Sequence, residues 1–234
     1  MGTQVGRAVT ADPELTLAAQ VDPQLGNHAD AMAEAAVEVA VDFTVAESAR
    51  ANARWCAAHG IHAVIGTSGL KASDHEELRA IFDGSGANCL VAPNFAIGAV
   101  LLVRLAEMAA PFFDSAEVIE LHHDGKADAP SGTAMHTVER LAAASSQWAP
   151  DPTTIENIPG SRGAEGAGGI RVHAVRMRGM VAHEEVLLGT TGQTLSIRHD
   201  SYDRTSFMPG VILAVKRIAD HPGLTVGLDS YLDL

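Results

Sequence analysis

The sequence predicts an α/β chain in two parts: a doubly wound parallel sheet near the N-terminus, then an α+β portion built on a mostly antiparallel sheet. Three observations predict this. Strand-like and helix-like segments alternate through residues 15–92. After residue 170 the strand-like segments follow one another with short links. The 234 residues are 47% hydrophobic and 19% charged, the balance of an ordinary globular protein with ample core.

The first part reads as follows. Leu15 to Val21 and Val37 to Thr44 are strand-like, and Ala46 to His59 has helical periodicity stopped by Gly60. Ile61 to Ile65 is a short apolar strand running into Gly66-Thr-Ser-Gly69. A helix from Ser73 to Phe82 follows, with Ser73 as N-cap and Glu76 completing a capping box. Asn88 to Ala92 is a strand entering Pro93-Asn-Phe95. This spacing implies parallel pairing.

In the second part a helix at Gly98 to Ala110 precedes strands at Ala116–His122, Arg171–Arg178, Ala182–Leu188 and Thr194–His199. Links such as Gly179-Met180 and Gly189-Thr-Thr-Gly192 favour antiparallel neighbours. Ala149 to Gly169 is a long Pro- and Gly-rich loop, and a last helix spans Phe207 to Ala219 with Pro209 in its first turn. The expected division is residues 1–93 with 205–234, and residues 94–204.

Charge excludes some function classes. With 29 acidic and 16 basic residues the net charge is −13, which repels nucleic acid and anionic membrane. An anionic small substrate therefore needs a local positive cluster. No apolar run approaches a bilayer span, and the first residues lack a signal-peptide core, so the cytoplasm is the expected location. Cys56 and Cys89 show no metal-ligand or CxxC spacing and read as buried thiols.

Such a positive cluster lies in Glu120-Leu-His-His-Asp-Gly-Lys-Ala-Asp-Ala-Pro-Ser-Gly-Thr-Ala134. His122, His123 and Lys126 sit where a strand leaves the sheet, and Ser131-Gly132-Thr133 opens a helix from Met135 to Ala144. Ser131 can cap that helix, and the amides around Gly132 and Thr133 can hold an anion backed by the helix dipole. Lys126 can fix a charge or donate a proton, and a histidine can act as an acid near neutral pH. The pocket suits a small carboxylate.

These residues resemble the signature of the 4-hydroxy-tetrahydrodipicolinate reductase (dihydrodipicolinate reductase) family. The resemblance extends over Val41-Asp-Phe-Thr44, Gly66-Thr-Ser-Gly69, Ala92-Pro-Asn-Phe-Ala-Ile-Gly98, Pro159-Gly-Ser-Arg-Gly163 and Ile197-Arg-His-Asp-Ser-Tyr-Asp-Arg-Thr-Ser-Phe207. It implies a Rossmann-like nucleotide domain and a substrate domain that also forms a homotetramer. The implied activity is NAD(P)H-dependent reduction of 4-hydroxy-tetrahydrodipicolinate in the diaminopimelate route to lysine. His122 would be the catalytic acid/base and Lys126 the proton donor. His123, Ser131, Gly132 and Thr133 would bind the substrate dicarboxylate.

On the cofactor side the resemblance points to Gly2, Asp22, Phe43, Thr44, Gly66, Thr67, Ser68, Ala92, Pro93, Asn94 and Phe95. The Gly66-Thr-Ser loop would hold the nicotinamide at the carboxyl end of a parallel strand. Asp22 would take the adenosine ribose hydroxyls, although an Asp at a strand end alone reads as readily as turn chemistry. The residue after it is Pro23 rather than a base, which favours NADH or dual use over NADPH alone. The family pattern opens with an apolar strand and a Gly-x-x-Gly-x-x-Gly turn. This chain aligns from the last of those glycines, Gly2. A late-assigned start codon is the simpler account; a truncated, catalytically impaired paralogue that only binds ligand or oligomerises is the other. A metal-dependent hydrolase using His122, His123, His173 and His183 is disfavoured, because no His-x-x-x-His spacing or carboxylate partner is evident.

Overall fold

The computed structural model describes residues 1–22, 26, 28–67 and 69–233. They divide into two compact units, Met1–Ile97 with Arg204–Leu234, and Gly98–Asp203.

The first unit holds a four-stranded parallel sheet. Its strands are β1 (Val39–Asp42), β2 (His62–Ile65), β3 (Cys89–Val91) and β9 (Leu224–Val226), in the order β1-β2-β3-β9. Ala63, Ile65, Cys89 and Val91 point to one face and cluster with Ala49, Ala53 and Cys56 of α3 (Ala46–Ala58) and Leu78 and Phe82 of α4 (Ala72–Phe82). Val64 and Leu90 face the opposite side by the period of two, and both are fully buried. Helix α7 (Met208–Arg217) carries buried Val211 and Ala214 and packs against α1 (Gly2–Ala11) and β2. Strands sandwiched by helices explain why β2 and β3 read as continuous apolar runs.

Three expectations need correction here. Leu15 to Val21 forms no strand: β1 is the sheet's terminal strand, and no ladder reaches this segment among the described residues. Without a neighbouring strand to pair with, an apolar alternation does not become a strand, and Leu17 and Val21 stand 38% exposed. The cap of α4 is Lys71 rather than Ser73: Asp74 Oδ2 accepts from the Lys71 amide at 2.7 Å and Asp74 Oδ1 from Arg50 at 2.8 Å. The last helix is α-helical only over Met208–Arg217, with 3-10 turns at Arg204–Phe207 and Ile218–Asp220, and β9 follows it unforeseen. Asn88 secures that return, donating to Ile218 O at 2.8 Å and accepting from the Gly223 amide at 3.1 Å. Pro23 and Ser68 lie outside the described residues.

The second unit is a five-stranded mixed sheet, β5-β6-β4-β7-β8, of β4 (Ser115–His122), β5 (Ala164–Glu165), β6 (Arg171–Arg176), β7 (Ala182–Thr190) and β8 (Gln193–Ser201). Only the β4–β6 pair is parallel. Val118, Val172, Val186 and Leu188 pack on one face against Leu102, Val103 and Ala106 of α5 (Ile97–Ala109) and Ala134, Val138 and Leu141 of α6 (Gly132–Ala144). β5 is a two-residue strand inside the stretch expected to be wholly loop.

Candidate active site

The second unit gathers the cationic constellation around one buried acid. Glu120 and His122 alternate onto the same face of β4, the face covered by α6. Glu120 is 0% exposed, and both its oxygens are used. Arg176 donates to Oε1 and Oε2 at 2.8 Å each, His122 Nδ1 lies 2.6 Å from Oε2, and the Ser131 amide donates to Oε1 at 3.1 Å. Burial pushes this carboxyl up, but the bonds from Arg176 and His122 outweigh it, and the group titrates below its ordinary value. Glu120 is therefore ionised, and the Nδ1–H of His122 donates to it. That fixes the imidazole tautomer and leaves Nε2 as the free ring nitrogen.

His122 titrates below 6.5, chiefly through burial, with Lys126 and Arg176 adding to the effect and Glu120 opposing it. The neutral form therefore predominates at pH 7. The cation beside it is Lys126, whose Nζ lies 2.8 Å and 2.9 Å from the two oxygens of Asp128. Arg176 also donates to Asp128 O at 2.6 Å, so one guanidinium binds Glu120 and steadies the Lys126 loop. His123 is exposed beyond the strand end.

Ser131 is buried, and its Oγ accepts from the Ala134 amide at 3.2 Å as the N-cap of α6. Its hydroxyl and amide are thus both engaged inside the protein. Gly132 and Thr133 remain at the open first turn, with nothing within 4 Å of where a Gly132 side chain would start. Sequence reasoning missed Glu120 and Arg176. The signal for Glu120 was its place two residues before His122. Arg176 stands in register with His122 on β6, a pairing visible only once the strands are assembled.

Other histidines also have carboxylate partners, contrary to expectation: His173 Nε2 lies 2.7 Å from Glu117 Oε2, and His183 Nδ1 lies 2.7 Å from Asp200 Oδ1. Each pair is separate. Among the described residues no three His, Cys, Asp or Glu converge as a metal site requires.

In the first unit the expected cofactor residues cluster at the carboxyl ends of β1, β2 and β3. Asp42 organises them: Oδ1 accepts from the Thr44 amide at 2.7 Å, Thr44 Oγ1 at 2.6 Å and Thr67 Oγ1 at 3.4 Å, while Oδ2 accepts from Asn52 at 2.7 Å. The Phe43 ring lies against Gly66 so closely that a Cβ there would sit 2.1 Å from it. Phe43 in turn meets Phe95, ring centroids 5.6 Å apart. Ala92 donates its amide to Ile65 O, Pro93 is exposed, and Asn94 Oδ1 caps the Ala96 amide at 2.9 Å. Gly2 opens α1, and Asp22 is exposed just after Leu15 to Val21.

Comparison with known proteins places the chain in a family. Residues 1–95 match the dihydrodipicolinate reductase N-terminus family and residues 98–232 the dihydrodipicolinate reductase C-terminus family. The chain is 51% identical over 239 residues to a 4-hydroxy-tetrahydrodipicolinate reductase of Nocardia farcinica, and 50% identical over 239 residues to one of Corynebacterium urealyticum. Both alignments cover 100% of this chain and 95% of the relative. Among solved structures, a dipicolinate-bound dihydrodipicolinate reductase from Paenisporosarcina sp. TG-14 superposes with a TM-score of 0.88 at 32% identity, covering 98% of this chain and 94% of that one. With both halves matched and half the residues identical, the chain belongs to the dihydrodipicolinate reductase family.

Proposed function

We propose that this chain reduces 4-hydroxy-tetrahydrodipicolinate to tetrahydrodipicolinate with NAD(P)H, in the diaminopimelate route of lysine biosynthesis. The observation that carries the reading is the buried Glu120, which binds His122 on one side and the first amide before α6 on the other. It places a proton-handling imidazole and an anion-binding helix start in one frame. Residues 98–203 would hold the substrate and residues 1–97 with 204–234 the dinucleotide. Four such chains would assemble through the outer face of the second sheet, in the cytoplasm.

The strand ends of the first unit fit a nicotinamide group, because Gly66 presents bare backbone beside Phe43 where any side chain would clash. Phe43, Thr44, Gly66, Thr67, Ala92, Pro93, Asn94 and Phe95 would line it, with Asp22 toward the ribose and Gly2 toward the pyrophosphate. The next residue, Pro23, brings no charge for a 2′-phosphate, which supports NADH or dual use. When bound, NAD(P)H supplies a hydride.

The residues of this chain manage the dicarboxylate and the proton. Gly132 and Thr133 offer helix-start amides to a carboxylate, and His123 stands at the strand end for the second. The substrate loses its C4 hydroxyl together with one ring proton as water, then gains a hydride at ring C4 and one proton at the adjacent ring carbon or the ring nitrogen. Lys126 carries that proton, and its charge stabilises electron density draining toward nitrogen. Neutral His122 presents Nε2 to the same ring as acceptor and relay, held by Glu120. Lys126→Ala should lower turnover by about 10²–10⁴-fold with NADH binding unchanged. Near-normal turnover in a coupled NADH-oxidation assay would refute the assignment.

A further inference from the structure

Behind the proposed site lies a second buried carboxyl that the mechanism does not use. Glu184 of β7 is the direct cross-strand partner of Glu120 on β4, and both side chains are buried beneath α6. Two like charges facing each other across a ladder repel, the more so out of water. Arg176, His122 and the Ser131 amide all serve Glu120. Glu184 has instead the hydroxyl of Thr137, at 2.5 Å.

That hydroxyl is itself informative. Thr137 Oγ1 is fully buried, 2.5 Å from Glu184 Oε1 and 3.0 Å from the carbonyl oxygen of Thr133. A threonine hydroxyl carries one proton, and a carbonyl oxygen cannot donate. Both contacts are full two-centre hydrogen bonds together when Glu184 carries the second proton and donates it to Oγ1, while Thr137 donates to Thr133 O. An ionised Glu184 would draw the Thr137 proton to itself and leave Thr133 O without its side-chain donor.

We propose, building on the functional reading above, that Glu184 is held as a neutral acid whose hydrogen bond to Thr137, relayed by the Thr137 hydroxyl to the Thr133 carbonyl, positions the first turn of α6 for the substrate dicarboxylate. Glu184 is thus a positioning residue. It works by keeping a second negative charge out of an anion site and by fixing the turn whose amides receive the anion. The charged and titratable groups round it agree. From β4 comes Glu120 with His122 and Arg176 attached, from β8 the cross-strand His199, and from α6 the uncharged Thr137. His199 is pushed toward the neutral form, chiefly by burial, so it does not stand in as a counter-ion. Burial, and then the charge of Glu120, raise the Glu184 carboxyl to about 7, against the Thr137 bond that lowers it.

The test uses dipicolinate, a stable aromatic dicarboxylate, titrated calorimetrically into the NADH-saturated protein across neutral pH. The wild-type dissociation constant should rise above about pH 7, approaching about tenfold per pH unit. Glu184→Gln, uncharged at every pH, should lack that rise and bind as tightly at high pH as wild type does at low pH. Parallel profiles for the two would overturn the proposal. Thr137→Val, which keeps the acid but breaks the relay, should weaken dipicolinate on both sides of neutrality; unchanged affinity would overturn the positional link. Infrared difference spectra of the unliganded protein supply a readout independent of substrate. A protonated-carboxyl band that titrates near neutrality and is missing in Glu184→Gln supports the neutral acid, and its absence from wild type overturns it. A wild-type protein that binds no dipicolinate at any pH refutes the functional reading instead, while the infrared band still decides the proton.

Discussion

Glu120 shows how far one side chain can organise a site. Its carboxylate is buried, ionised and fully bonded, so Glu120→Gln takes from Arg176 its buried counter-charge and weakens the acceptor that fixes the His122 tautomer. Breaking such a pair costs about 3–5 kcal/mol, and loss of an oriented base costs about 10²-fold or more in turnover. Denaturant unfolding and steady-state kinetics measure both, and a variant normal in each would refute the role. The pH dependence has a definite sign. The folded Glu120 titrates below 4.5, so its contribution is complete above that value and disappears as pH falls through the depressed one. Glu184 behaves oppositely. Its folded value of about 7 lies above the unfolded 4.5, so stability falls as pH rises from 4.5 to about 7. Wild type should therefore lose on the order of 3 kcal/mol over that window relative to Glu184→Gln. Equal pH slopes in urea unfolding would contradict this. At this scale His122, Lys126 and Ser131 were legible because their types and spacing carry chemistry. Glu184 was not, since nothing in a strand sequence announces which residue will face it.

Elements were legible where periodicity ran long enough. Helix α3 ends at Ala58, two residues before Gly60, whose φ of 68° supplies the left-handed turn expected of it. Helix α6 begins immediately after Ser131, as its capping chemistry implies. Ser131→Ala should cost about 1 kcal/mol, read by chemical denaturation, and no loss would mean the cap is idle. Elements whose existence depends on a distant partner were misread. Leu15 to Val21 has a strand's composition but no ladder, and β9 has a ladder but only three residues of pattern. What marks β9 is Asn88, far away in sequence, which binds both sides of its approach. Asn88→Ala orphans the Gly223 amide and leaves the Ile218 carbonyl only its bond from the His221 amide, a loss of about 1–3 kcal/mol. Proteolysis of the C-terminal segment should accelerate accordingly, and unchanged cleavage would show the tether to be dispensable.

For the whole molecule, charge and assembly are the relevant quantities. A net charge of −13 opposes a dianionic ligand at long range, and the positive groups near His122 act only at short range. The second sheet packs one face against α5 and α6, and Glu117, Leu187 and His173 lie on the opposite face. If that face joins four chains as proposed, Leu187→Asp should convert a four-chain species to smaller ones in sedimentation velocity, without unfolding. A four-chain mass for the variant would place the contact elsewhere.

The two cysteines give the molecule a practical property. Cys56 and Cys89 are 2% and 0% exposed, and burial raises both thiols, Cys56 to about 11. Almost no thiolate is available to an alkylating dye at neutral pH. The native chain is therefore a silent background for maleimide chemistry. One cysteine placed at exposed Val45 and another at exposed Phe112 would carry a donor and an acceptor fluorophore, one on each unit, with no need to remove the natural pair.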